Sequence, residues 1–483
     1  MFQDVTPFVL AGELYAATPT SEVLDVFDKF HHTPFARVRR ATADELDLAV
    51  ERTFAARQAV AAVPAWRRQA ALNRIADTLR ERAEVFAQVL CAEAGKPIRD
   101  ARAEVSRAID TFRLGAEEST RIGGEYRPLD ATPRAEGYTS LTRRVPVGVA
   151  ALITPFNFPL NLVAHKVAPA LAAGCPFILK PASTTPVSAL LLGQILMECD
   201  LPPGTFSVLP CSGATAERLV TDDRVSLVSF TGSPEVGWRL KALSGRKRVS
   251  LELGGNAGCI VDADADLDQV VPRVTFGAFT QSGQSCISVQ RVLVHRSLYP
   301  DFVSRLKQAA EALVAGDPRD LDTVLGPLIT EADARRVEAL VEAARERGAT
   351  VDCGGVRDGC FYAATVLTDV PHDADVSARE VFGPVVTVEP FDDFAAAVAV
   401  INDSRFGLQA GVFTRDLHHA YYAWEHLEVG GVIIGDVPTF RVDGMPYGGV
   451  KESGLGREGV RFAIEEMTEC RLMVLRRAGE LPR

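Results

Sequence analysis

The chain predicts an α/β fold: a Rossmann-like parallel-sheet domain, a second α/β domain and a small β arm. Three observations carry this reading. From Val147 onward, short continuous apolar runs alternate with amphipathic ones, the pattern of parallel strands covered by helices on both faces. A second series of the same kind begins near Asn256. Residues 137–147 and 468–475 alternate as strands do, yet neither has an obvious neighbour in those series.

Taken in order, the first hundred residues read as helices, with apolar positions at helical spacing over 43–63 and 67–91. The pattern breaks at Arg121-Ile122-Gly123-Gly124. Strands are then expected at 148–154, 177–181, 206–209, 225–229 and 248–253, with helices at 162–173, 187–199, 214–221 and 234–243 between them. Ligands lie outside the carboxyl ends of the strands in such a sheet. The second series includes helices at 266–280, 301–315, 331–347 and 393–401 and strands at 291–295 and 385–390.

With 483 residues the chain is too long for one ordinary core, and 47 % hydrophobic against 24 % charged residues leaves no long disordered region. A net charge of −11 argues against a nucleic-acid surface, which needs clustered positive charge. No stretch has the length and apolarity of a membrane span, and the first residues lack a secretory pattern. The nine cysteines form no Cys-x-x-Cys pair, as expected of reduced thiols in the cytoplasm. No His/Cys/Glu cluster has zinc spacing, so no metal is expected.

Several stretches carry chemistry. In Gly283-Gln284-Ser285-Cys286, between a helix end and a strand, Gly283 permits a sharp turn before a thiol that is either a small buried hydrophobe or a nucleophile. Phe230-Thr231-Gly232-Ser233-Pro234 joins a strand to a helix N-terminus and suits a pyrophosphate, or Ser233 is a plain cap. Glu252, at a strand tip, is a structural anion or a general base. Asn157 is a turn residue or an amide aimed at an oxyanion, and Lys180 reaches a ribose or phosphate or merely snorkels. Gly454-x-Gly456-x-x-Gly459 fits the dinucleotide fingerprint but follows no strand and leaves no room for a βαβ unit, so it reads as a loop.

In this order, TPFNFP, LKPAS, FTGSPEVG, LELGG, GQSC, Glu380-Val381-Phe382-Gly383-Pro384 and Pro446-Tyr447-Gly448-Gly449-Val450-Lys451 closely resemble the aldehyde dehydrogenase superfamily, over about residues 38–471. The resemblance implies an NAD(P)-dependent, non-phosphorylating enzyme that oxidises an aldehyde to its acid. Cys286 is then the nucleophile, Asn157 and the Cys286 N–H hold the oxyanion, Glu252 activates water, and Lys166 belongs to the catalytic network. Ile153, Thr154, Pro155, Lys180, Ser183, Gly213, Phe230, Gly232, Ser233, Leu253, Gly254, Glu380 and Phe382 match cofactor contacts. Ser183 stands where many NAD-preferring members have a glutamate, so NADP is expected to be accepted beside NAD. Arg107, Phe158, Ser285, Ile287 and Arg441 are the substrate candidates.

The implied division is residues 1–118 and 144–254 for cofactor, 255–463 for catalysis, and 119–143 with 464–483 for assembly into a homodimer or homotetramer. The alternatives are a CoA-acylating relative, disfavoured by Glu252, and a non-catalytic structural descendant, disfavoured by Cys286, Asn157 and Glu252 together.

Overall fold

Five parallel strands form the centre of the first sheet, in the order Arg248–Glu252, Val225–Thr231, Val149–Ile153, Phe177–Lys180, Phe206–Val208. The chain starts at Val149–Ile153, winds outward through the next two strands, then returns to add Val225–Thr231 on the other side. That reversal opens a crevice between the carboxyl ends of Val149–Ile153 and Val225–Thr231. The computed structural model describes residues 4–477.

The second sheet has seven strands, parallel except for the edge pair Thr350–Cys353 and Thr365–Thr368. Its centre is Gly258–Val261 beside Arg291–His295, all of whose residues but His295 are buried. The helix Leu267–Phe279 connects these two strands and ends just before Cys286. The helix Asn161–Ala173 lies against the first sheet with every residue buried, so its polar side chains must find partners inside the protein.

Three expectations need correction. The first hundred residues are not all helical, since short strands occupy much of the stretch before Arg39, and Phe8–Leu10 pairs antiparallel with Phe206–Val208. Runs of three apolar residues are too short to show a period, although Phe8, Val9 and Leu10 are wholly buried. The expected helix over 67–91 is two helices, Ala65–Glu81 and Ala83–Ala94, because Arg82 leaves the helical region. The two strands read as lacking neighbours pair with each other, from Thr468 opposite Pro146 to Arg476 opposite Tyr138. The last residues of the expected arm, 478–483, lie outside the described residues.

The Gly454-x-Gly456-x-x-Gly459 loop adds an antiparallel strand, Gly454–Leu455, to the edge of the first sheet. A Cβ on Gly454 would fall 2.3 Å from the Leu251 carbonyl oxygen, so this glycine permits strand pairing.

Candidate active site

A cavity of about 790 Å³ occupies the crevice and continues between the two sheets. Its first end is built where strands of the first sheet stop. Ile153 and Thr154 leave one strand, Gly232 and Ser233 leave its neighbour, and Ser233 caps the helix Pro234–Leu243 through its hydroxyl. The capped helix N-terminus therefore lies at the cavity and turns its positive dipole end toward it, as suits a pyrophosphate. Lys180 and Ser183 line the same end. Burial lowers the pKa of Lys180, and the Ser183 hydroxyl donates to the Cys211 carbonyl at 3.4 Å.

Glu380 closes this end by accepting a hydrogen bond from the Gly255 N–H at 3.0 Å, and burial pushes its carboxyl up to about 7. A Cβ on Gly254 would lie 2.4 Å from the Glu380 carboxylate, so a larger residue there would have to displace that side chain. The crevice, the helix end and the Glu380 wall beside Gly254 fit a dinucleotide.

Cys286 lies deeper, where the two sheets meet. Its approach is a tight turn in which Gln281, Ser282 and Gly283 have φ of 51°, 54° and 69°. Gly283 is obligatory, because a Cβ there would stand 2.1 Å from the Gly383 carbonyl. The Cys286 thiol is 3.0 Å from the Tyr447 hydroxyl. Burial pushes the thiol up to about 12, and the Tyr447 bond acts in the opposite direction. Asn157 donates one amide hydrogen to the Gln284 carbonyl at 3.0 Å, which ties the loop after Ile153 to the nucleophile turn. Its amide has a second N–H.

Glu252 ends its strand with both carboxylate oxygens buried and without a hydrogen-bond partner. Burial, then the negative charge of Glu458, raises its pKa well above the ordinary carboxylate value, which makes it a proton acceptor in waiting. Gly448, with φ 155°, leaves it room, since a Cβ there would come within 2.9 Å of Oε1. Behind it, Glu458 accepts from Lys166 Nζ at 3.1 Å and from Arg441 at 2.9 Å. Against the cost of burial, those two cations hold the Glu458 carboxyl down at about 2.

All the residues expected to form the site line this cavity except two. Gly213 opens the helix Gly213–Thr221 in free space, with no atom within 4 Å of where its Cβ would be. Lys166 lies behind the wall, bonded to Ser229 Oγ at 2.8 Å and to Glu458. Tyr447, Glu458, Asp443 and Asp100 were not anticipated as site residues. Tyr447 stood in a quoted motif, but its link to Cys286 spans 161 positions and leaves no local pattern.

This geometry defines a class: an oxidoreductase with a dinucleotide crevice on one sheet and a half-buried cysteine in the same cavity as an unpaired carboxylate. The chain matches the aldehyde dehydrogenase family over residues 16–473, and it belongs to that family. It is 46 % identical over 458 residues to the 3-sulfolactaldehyde dehydrogenase of Priestia aryabhattai, covering 94 % of this chain and 95 % of the relative. Its structure is similar to aldehyde dehydrogenase 21 of Physcomitrella patens, solved with the reaction product succinate, with TM-score 0.97, 46 % identity and full coverage of both chains. It is also similar to the glyceraldehyde-3-phosphate dehydrogenase of Methanocaldococcus jannaschii complexed with NADP, with TM-score 0.91, 35 % identity and coverage of 95 % of this chain and all of the other. The protein is thus an enzyme that oxidises an aldehyde to its acid with NAD or NADP.

Because Cys286 is a thiol well below its raised pKa, its alkylation by iodoacetamide in the protein without cofactor is expected to accelerate about tenfold per pH unit from 7 to 9. Mass spectrometry of the Cys286 peptide measures this. A plateau below pH 8 would show a resting thiolate.

Proposed function

We propose that Cys286 attacks the aldehyde carbon while its proton leaves for solvent through the cavity. The oxyanion is held by the second Asn157 amide hydrogen and the Cys286 backbone N–H. NAD(P), held by the residues that line the crevice, would supply the hydride acceptor, and the acyl group is then left on Cys286 as a thioester. Glu252 then takes a proton from water, whose oxygen attacks the thioester, releasing the acid and the thiol. The observation that carries this reading is the unpaired Glu252 carboxylate in the same cavity as Cys286, with Glu458 kept from it by Lys166 and Arg441. The first sheet, with residues 1–118 and 144–254, serves the cofactor, and residues 255–463 supply the nucleophile.

Ile153, Thr154, Pro155, Phe230, Leu253, Gly254 and Phe382 form the walls around the dinucleotide, with Ser233 at its pyrophosphate and Glu380 at its far end. The Ser183 side, with Lys180 and no carboxylate of its own, supports acceptance of a 2′-phosphate, and hence of NADP as well as NAD.

The substrate is proposed to be a small aldehyde with an anionic group at its other end. Arg441 lines the cavity with its side chain 7 % exposed, and its Nε has no partner. Arg107 also lines the cavity, 28 % exposed, with Nε and one terminal nitrogen committed to Asp443 and the other terminal nitrogen outside that pair. Phe158, Ser285 and Ile287 supply the remaining wall. The names of two relatives agree, one acting on a sulfonated aldehyde and one binding succinate.

Charge-assisted hydrogen bonds are worth about 1.5–3 kcal/mol, or roughly 10- to 150-fold in kcat/KM. Arg107→Met and Arg441→Met are therefore expected to lower the ratio of kcat/KM for 4-oxobutanoate over butanal at least about tenfold. Equal losses for both substrates would place the arginines in structure alone.

The proposed assembly is a homodimer, or a tetramer of two dimers. The strand Thr468–Arg476 is the outer edge of its three-stranded sheet and exposes Leu472, Met473, Val474 and Leu475, an edge that stays soluble when covered. Among the described residues no helix is long and apolar enough to cross a membrane, and all nine cysteines are unpaired, which supports a cytoplasmic address. Light scattering at micromolar concentration is expected to return at least twice the chain mass, and a monomer mass with full activity would remove the assembly reading.

A further inference from the structure

One face of the helix Ile98–Ser119 is in contact with several walls of the cavity. Lys96, just before the helix, then Asp100, Glu104 and Arg107, recur at intervals of three or four residues, the spacing of a single helical face. Glu104 accepts from the N–H groups of Leu160 and Asn161, at 2.9 and 3.0 Å, and so caps the helix that follows Asn157 and Phe158. Lys96 pairs with Glu104 and sits 3.9 Å from the centre of the Phe158 ring. Arg107 grips Asp443, in the loop that also carries Arg441 and Tyr447.

Asp100 completes the set. Its carboxylate accepts from Thr280 Oγ1 at 3.2 Å and from the Gln281 N–H at 3.1 Å. Those atoms open the turn into Cys286, where two successive non-glycine residues, Gln281 and Ser282, are left-handed. Each such residue costs on the order of 1–2 kcal/mol and persists only where its surroundings impose it. Ser282 is held at its hydroxyl by the Gly326 carbonyl at 2.7 Å, and the Gln281 amide donates to the Asn157 carbonyl. Asp100 alone grips the turn at its first backbone N–H. It does so as a half-buried carboxylate with no cation at ion-pair distance among the described residues, so its two hydrogen bonds to the turn are its direct partners.

We propose that Asp100 is a positioning residue for the nucleophile. By fixing the entry of the left-handed turn, it keeps Cys286 Sγ at 3.0 Å from the Tyr447 hydroxyl, the contact that opposes the effect of burial on the thiol. Release of the turn lets Sγ drift from Tyr447 and from the oxyanion donors, so both thiolate formation and attack slow down. The acceptor geometry matters here and the charge does not. Asparagine, which keeps one carbonyl oxygen in the same place, should serve nearly as well.

The proposal rests on Cys286 as the nucleophile, and the experiment keeps the two apart. In Asp100→Ala, the first-turnover burst of reduced cofactor and the iodoacetamide labelling of Cys286 should both slow by about tenfold or more. The Kd for NADP of the same protein should not change. Asp100→Asn should stay within about threefold of wild type in both readouts. An Asp100→Ala variant with wild-type burst and labelling overturns the proposal, as does an Asp100→Asn variant as slow as Asp100→Ala. If the alanine variant fails to bind cofactor, Asp100→Ser replaces it in the same comparison. An undiminished burst in Cys286→Ala would instead reject the nucleophile assignment itself.

Discussion

Glu458, held between Lys166 and Arg441 with almost no access to water, is the interaction on which the site's chemistry depends. Removing one partner from such a buried set typically costs about 3–5 kcal/mol, because the remaining charge is left without solvent or counterion. Its chemical consequence is larger than its contribution to stability. With Lys166 and Arg441 occupied, neither is free to pair with Glu252, whose oxygens therefore stay unbonded and basic. Were Glu458 absent, the same cations would draw the proton affinity of Glu252 down, and the carboxylate that should receive a proton from water would become a spectator.

The fold supplies the dry space for this arrangement. A helix buried over its whole length, Asn161–Ala173, brings Lys166 and His165 inward. His165 bonds Asp443 at 2.8 Å and lies 3.3 Å from the Arg441 guanidinium, and burial, then the charge of Arg441, lowers its pKa. Against burial, His165 and Arg107 hold the Asp443 carboxyl well below the usual range. The loop bearing Arg441 and Tyr447 is thereby fastened at Asp443, at Glu458 and through the stacking of Arg441 over the Tyr447 ring at 3.7 Å. The arginines proposed for substrate recognition and the tyrosine beside Cys286 therefore share one support.

Much of this was legible in the sequence, for identifiable reasons. Parallel strands buried on both faces leave continuous apolar runs, so the series from 148 to 253 could be read nearly strand by strand, and loops at strand ends located Asn157, Gly232, Ser233 and Glu252. Short N-terminal strands left no period, and the pairing of Tyr138–Pro146 with Thr468–Arg476 joins segments more than three hundred residues apart. Glu458 sat inside a glycine loop that reads as a turn, and its partners Lys166 and Arg441 are set by tertiary packing. Asp100 looked like any acidic residue in the first turn of a helix. Gly213 matched a family position, and it stands in open space outside the lining of the cavity.

The central claim is that acylation and deacylation use different residues, Cys286 for the first and Glu252 for the second. Stopped-flow measurement of Glu252→Gln with saturating aldehyde and cofactor, followed by intact-protein mass spectrometry, tests it most directly. The account predicts a burst near one reduced cofactor per subunit, a steady state slowed by about a hundredfold or more, and an acyl adduct mapping to Cys286. Loss of burst and steady state in equal measure, with no adduct on Cys286, would contradict it.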